Sequence, residues 1–118
     1  MPSGTSSVLF FGRHGLGPYC YGDGEQCSDP EDGNKGDHAY PYAYYVWAYD
    51  ARDLAAVKAG TKQPWEVRPY EVWPLQFPTT SRNHYIGGAT YDPATGRVFV
   101  SQMFGDGDYP VIHVFTIQ

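Results

Sequence analysis

The residues best suited to chemistry lie at the end of the first apolar run of the chain. Arg13-His14-Gly15 follows the apolar residues 7–11. An imidazole in this position could attack phosphorus as a nucleophile, while the neighbouring guanidinium holds the phosphate oxygens. Three residues recur by chance, however, and such chemistry also requires further basic groups around the phosphate. A hydrolase or hydrolase fragment is therefore the alternative, with the basic cluster of Arg13, His14, Arg82 and His84, although the chain as a whole favours a protein without enzymatic activity.

A second group of polar and aromatic residues precedes the final pair of predicted strands. Aromatic and planar polar side chains suit sugars and small anions, and loops at the end of a β-structure commonly bind ligands. We therefore predict a ligand site that combines this group with the Arg-His pair. Its members are Arg13, His14, Arg82, His84 and Tyr85. The alternative is a polar loop with the tyrosine packed inward.

An acidic, glycine-containing loop provides the strongest candidate for a metal site. Calcium takes about six to eight oxygen ligands, often from loops of this composition. The candidate ligands are Asp29, Asp32, Asn34 and Asp37. Their spacing departs from the EF-hand pattern, and a solvated acidic loop is the alternative. Calcium is thus the one cofactor that the sequence leaves open, and we expect no other.

The two cysteines of the chain, Cys20 and Cys27, flank a loop rich in glycine and acidic residues. They could form a small-loop disulfide if the compartment is oxidising, or remain reduced thiols. Both states stay open at this point. One pair of cysteines is too few to form a zinc site by itself.

The net charge of −5 is concentrated in one segment. Residues 23–37 hold six acids and one base, so this segment alone carries the net charge of the chain. Nucleic acids and anionic membranes bind positively charged surfaces, and the sequence supplies no such surface. We therefore expect neither as a partner.

The N-terminal residues contain no basic region followed by a long apolar region. This pattern predicts a cytoplasmic protein without a signal peptide. If the chain is a piece of a longer protein, a secreted or periplasmic location is the alternative.

Composition and periodicity both predict an all-β, antiparallel fold. Aromatic residues make up 17% of the chain and accompany 14 Gly and 10 Pro, a combination that favours strands joined by turns. A short connector helix is expected between Asp50, which can cap its N-terminus, and Gly60, which can end it. Residues 87–102, GGATYDPATGRVFVSQ, have the pattern of a β-hairpin. The predicted strands cover residues 7–12, 42–50, 65–76, 86–92, 97–103 and 110–117.

These strands fall into two groups of three, which predicts about two three-stranded blades of a propeller-like fold. Strand 42–50 carries no charge on either face before its final residue, as expected of a strand that is covered on both sides. The prolines in and beside 65–76 indicate an edge strand. We predict a single domain, 1–118, with blade-like halves at about 7–78 and 84–118. A β-sandwich or a small barrel is the alternative.

The chain contains the segments SVLFFGRHGLGPYCYG, YPYAYYVWAYDARDLAAVKAG, PWEVRPYEVW, GGATYDPATGRVFVSQ and PVIHVFTI. These segments resemble the C-terminal region of bacterial β-propeller-like proteins. The resemblance covers most of the chain, and its most specific parts are the Tyr-Asp-x-x-Asp-Leu connector and the Tyr-Asp-Pro-x-Thr-Gly-Arg hairpin. It implies a propeller-like fold and carries no activity, so no catalytic residue follows from it.

Two blades cannot close a ring, and their outer faces would leave aromatic surface in contact with water. Exposed apolar patches of this kind are typical of interfaces. We therefore predict a non-enzymatic interaction or small-ligand-binding module that self-associates. Its partner would be a second copy or the other blades of a longer chain, and its ligand a small molecule or a sugar.

Overall fold

The protein is built from two antiparallel three-stranded sheets, which confirms the all-β prediction. The computed structural model describes residues 6–20, 38–77 and 85–117. In chain order the strands are β1 (Ser7–Gly15), β2 (Tyr19–Cys20), β3 (His38–Ala39), β4 (Tyr42–Asp50), β5 (Glu71–Pro74), β6 (Ile86–Asp92), β7 (Arg97–Asp106) and β8 (Tyr109–Thr116). The first sheet has the order β1-β4-β5, the second has the order β6-β7-β8, and β2 pairs with β3. Within the described residues the strands do not close into a barrel.

The first sheet buries one face of its central strand, β4. Leu9 pairs with Ala48 and Phe11 with Val46, so these four apolar side chains share one face of the sheet. Val46 and Ala48 are each 1% exposed. This inner face is therefore part of the core.

The first strand extends beyond its predicted end. Its ladder with β4 continues to the pair of Gly15 and Tyr42, so β1 has nine residues rather than ending near residue 12. A second, two-stranded ladder follows, in which Tyr19 of β2 lies opposite Ala39 of β3. The sequence pattern did not indicate this ladder.

The connector helix forms where it was predicted, as α1 (Ala51–Lys58). Asp50 caps its N-terminus and accepts a hydrogen bond from the Arg52 backbone N–H at 2.8 Å. Hydrogen bonds from Arg52 lower the pKa of the Asp50 carboxyl to about 2. Gly60 follows the helix with φ of 75°, a left-handed conformation that favours glycine.

The outer face of the first sheet is partly covered by α1 and the segment that follows it. Leu54 and Val57 of the helix, together with Val67, line a groove against Phe10 and Trp47 of the sheet. Phe10 remains 49% exposed. The helix and the segment after it therefore cover only part of this outer face.

The third strand of the first sheet is shorter than the predicted strand 65–76. Only Glu71–Pro74 is a strand, and it occupies an edge of the sheet as its prolines indicated. The residues before it form a 3-10 helix, Pro64–Glu66. The Gln63 backbone N–H donates to the Glu66 carboxylate at 2.7 Å and fixes this turn.

The predicted hairpin is formed by β6 and β7. The Asp92 carboxylate accepts hydrogen bonds from the Ala94 backbone N–H at 2.9 Å and from the Thr95 hydroxyl at 2.6 Å. These bonds lower the pKa of Asp92, and the bond from the Thr95 hydroxyl has the largest effect. Gly96 completes the turn with φ of 68°.

The far end of β7 is irregular. The strand reaches Asp106 rather than residue 103, and its register with β8 shifts between Gln102 and Asp106. Phe104 lies in this bulge with φ of 57°, a conformation that is rare for a bulky residue. Gly107, with φ of 61°, then turns the chain into β8.

The inner faces of the two sheets face each other. Val98 and Val100 of β7 are 4% and 0% exposed. β1 and β6 come together where the sheets meet, whereas β5 and the end of β8 border an apolar cleft of about 680 Å³ between the sheets. The two sheets therefore lie close together at their first strands and further apart toward their last strands.

The single described helix, α1, is neither long enough nor apolar enough to cross a membrane.

Candidate functional site

The structure describes three of the five residues of the predicted ligand site. Arg13 lies opposite Tyr44 on the inner face of the first sheet, and Arg13 and Tyr85 line the same groove. His14 is the next residue of β1 and therefore lies on the outer face. Arg82 and His84 lie outside the described residues. Two of the five predicted residues are thus brought together.

The groove that holds Arg13 and Tyr85 lies at one end of the cleft between the sheets and has a volume of about 630 Å³. The first sheet contributes β1 and β4 to its wall, and the second sheet contributes the start of β6 and the bulge of β7. Its lining residues are Phe11, Gly12, Arg13, Tyr44, Tyr85, Ile86, Gly87, Gly88, Met103 and Phe104. Its volume is in the range of small-molecule sites, and it is an open surface groove rather than an enclosed cavity.

Arg13 is the one cationic side chain of this lining. Its guanidinium carbon lies 4.7 Å from the ring centroid of Tyr42, within the range of a cation–π contact. Among the described residues, the side-chain ion pairs are Arg52–Asp50 and Lys62–Asp53. No described carboxylate therefore neutralises Arg13, which leaves a positive charge at the groove.

His14 has a different environment on the outer face. Its ring centroid lies 5.3 Å from that of Tyr45 and 6.2 Å from that of Trp47. A nucleophilic imidazole and a phosphate-binding guanidinium must reach the same substrate from one side. Because β1 directs His14 and Arg13 to opposite faces, these two residues do not provide that geometry.

The sequence did not single out the bulge residues of the groove. Phe104 is 40% exposed and Met103 is 42% exposed, and both line the groove from β7. Their position depends on the register shift in β7, for which the residues themselves give no signal. The glycines of β6 offered a partial signal, since glycine within a strand marks a bulge or the close approach of another group. The register of β6 with β7 shifts between Ile86 and Gly88, so Gly88 lies at such a bulge.

A buried polar pair joins β7 and β8 on the inner face of the second sheet. The Nε2 atom of His113 lies 2.8 Å from the Oε1 atom of Gln102, and the two residues are 8% and 0% exposed. Phe77 stacks on His113 with a centroid distance of 4.5 Å. Burial lowers the pKa of His113, so the neutral imidazole is favoured. His113 is thus a hydrogen-bonded core histidine.

The predicted calcium ligands Asp29, Asp32, Asn34 and Asp37 lie outside the described residues. Cys27 does as well, so the predicted disulfide with Cys20 is likewise not described. Within residues 6–20, 38–77 and 85–117, no group of three or more His, Cys, Asp or Glu side chains is arranged to hold a metal ion.

Comparison of the chain with family models, curated proteins and solved structures gives no significant match.

Proposed function

We propose that the protein is a non-enzymatic, propeller-like module that self-associates and binds a small ligand in the Arg13 groove. The observation that carries the first part is the exposed apolar face of the second sheet. Ile112 and Val114 of β8 are 54% and 52% exposed, and they lie on the face of the sheet that points away from the core.

This outer face is formed by side chains from neighbouring strands. Phe99 of β7 lies opposite Val114 of β8 and opposite Thr90 of β6, and Ser101 lies opposite Ile112. The patch is therefore continuous across the sheet rather than a set of isolated apolar residues. A continuous exposed apolar patch is typical of a protein interface.

A second copy of the chain is the partner that we propose for this face. The corresponding face of the first sheet is partly covered by α1, through Leu54 and Val57. No described helix covers the second sheet. Two copies that bring their second sheets together would bury the same patch on both, as a two-fold symmetric interface requires. Apolar burial would drive the association at about 25 cal/mol per Å² of buried surface.

The test is the solution mass measured by light scattering on a size-exclusion column. We expect a dimer for the wild-type chain and a monomer for the double variant Ile112→Lys/Val114→Lys. Both residues are already exposed, so the variant should keep its fold, which its circular dichroism spectrum would show.

The matched control is Val72→Lys, because Val72 is 41% exposed on the outer face of the first sheet. We expect this variant to remain dimeric. A higher oligomer that either substitution dissociates would instead indicate head-to-tail stacking of first sheet on second sheet, as in a closed ring of blades. A wild-type monomer would overturn the self-association proposal. A longer natural chain with further blades would then be the explanation to test.

A further inference from the structure

We infer that the Arg13 groove binds a carboxylate attached to a flat aromatic ring. The inference rests on the ligand-binding part of the proposed function and specifies its chemistry. It can be tested separately from self-association, because Arg13 lies on the inner face of the first sheet, whereas the proposed interface lies on the outer face of the second sheet.

The charge of the groove favours an anion. Arg13 is exposed, and no described carboxylate is paired with it. A planar guanidinium binds a carboxylate through two parallel N–H···O hydrogen bonds. The contact with Tyr42 at 4.7 Å supports the guanidinium from one side. The ligand end near β1 is therefore assigned to the carboxylate.

The remainder of the groove favours a flat apolar ring. Four aromatic side chains line it, together with the thioether of Met103; they are Phe11, Tyr44, Tyr85 and Phe104. Aromatic rings pack against other rings in offset or edge-to-face geometries. A sugar would instead present hydroxyl groups in several directions, and each would need a polar partner. Among the described side chains of the lining, the polar groups are the guanidinium of Arg13 and the hydroxyls of Tyr44 and Tyr85, and the others are apolar.

One backbone feature shapes the groove for such a ring. Phe104 has φ of 57° and directs its side chain into the groove lining from a bulge. A bulky residue rarely adopts the left-handed region, and backbone strain of this kind is concentrated at ligand sites.

The test uses benzoate as the probe and two matched compounds that each lack one of its features. Benzamide keeps the ring without the charge, and acetate keeps the charge without the ring. Titrations followed by amide NMR should show benzoate shifting the signals of Gly87, Gly88 and Phe104. We expect benzamide and acetate each to bind at least tenfold more weakly.

The informative variant is Arg13→Gln, which keeps the size and polarity of the side chain and removes its charge. We expect it to weaken benzoate binding about tenfold or more, as for loss of a hydrogen bond to a charged group. Benzamide binding should not change. Arg97→Gln is the control, because Arg97 is an exposed arginine at the opposite end of β7. It should bind benzoate as the wild-type chain does.

A second variant, Phe104→Asn, tests the bulge. Asparagine tolerates positive φ better than phenylalanine does, so the fold should be retained while the ring contact is lost. We expect weaker benzoate binding without a lower melting temperature.

The inference is overturned if benzoate shifts no groove signal, if benzamide binds equally well, or if Arg13→Gln leaves benzoate binding unchanged. Solution masses of the same samples separate the two proposals. Benzoate binding by a monomeric chain would refute self-association alone, and a dimer without benzoate binding would refute this inference alone.

Discussion

Truncation of Val100 to alanine tests whether the inner faces of the sheets form the core. Val100 lies in the central strand of the second sheet and is 0% exposed. Removing two fully buried methyl groups costs about 1.6 kcal/mol in transfer free energy, at ~0.8 kcal/mol for each. A residual cavity of roughly 50 Å³ adds about 1 kcal/mol, at ~24 cal/mol per Å³. We therefore expect Val100→Ala to lower the free energy of unfolding by about 2–3 kcal/mol.

The assay is urea denaturation of both chains at one protein concentration, followed by tryptophan fluorescence. The matched control is Val114→Ala, which makes the same chemical change at a side chain that is 52% exposed on the other face. Measured under conditions where the chain is monomeric, it should cost less than about 0.5 kcal/mol, as is usual for surface substitutions. Equal losses for the two variants would refute the assignment of inner and outer faces, and with it the proposed interface.

Three further predictions concern pH and the backbone. Burial lowers the pKa of His113, so the neutral imidazole stabilises the fold above the ordinary pKa of 6.5. This stabilisation is lost as the pH falls below that value. Urea midpoints measured across this range should therefore fall more steeply for the wild-type chain than for His113→Gln. Gly96 has φ of 68° and Gly88 does not have positive φ, while neither has an atom within 4 Å of a built Cβ. Gly96→Ala should therefore cost about 1 kcal/mol and Gly88→Ala almost nothing, as thermal melts would show. At Gly105 a Cβ would lie 2.8 Å from the Cγ2 atom of Val111, so Gly105→Ala should cost about 1–3 kcal/mol by overpacking; an unchanged melting temperature would mean that β8 does not approach the bulge so closely.

The elements that the sequence predicted well are those whose signals are local. Asp50 and Gly60 bound α1, and the Asp92 turn closes its hairpin, because a side-chain cap and a positive φ depend on adjacent residues alone. The strand 65–76 was predicted too long, because the turn at Pro64–Glu66 is held by a bond between Gln63 and Glu66 that an extended reading overlooks. Pairing of β2 with β3 was missed because it joins residues that are distant in sequence.

The candidate site was only partly predictable for a related reason. Successive side chains of a β-strand point to opposite faces of the sheet. The prediction that the neighbours Arg13 and His14 share one site conflicted with this alternation. The approach of Tyr85 to Arg13 depends on how the two sheets pack, and the position of Phe104 depends on a register shift in β7. Neither of these has a local signature.

The order of strands in the two sheets has a consequence for how the chain folds. β6, β7 and β8 are adjacent both in sequence and in space, so two short turns are enough to assemble the second sheet. In the first sheet, β1 pairs with β4, and a long segment of chain separates these two strands. The loop-closure entropy of that segment opposes the pairing until other contacts offset it. We therefore expect the C-terminal hairpins to form early. The first sheet would then assemble against the inner face of the second sheet. The inner face of these hairpins would thus take part in the folding of the chain, and their outer face would take part in the proposed self-association.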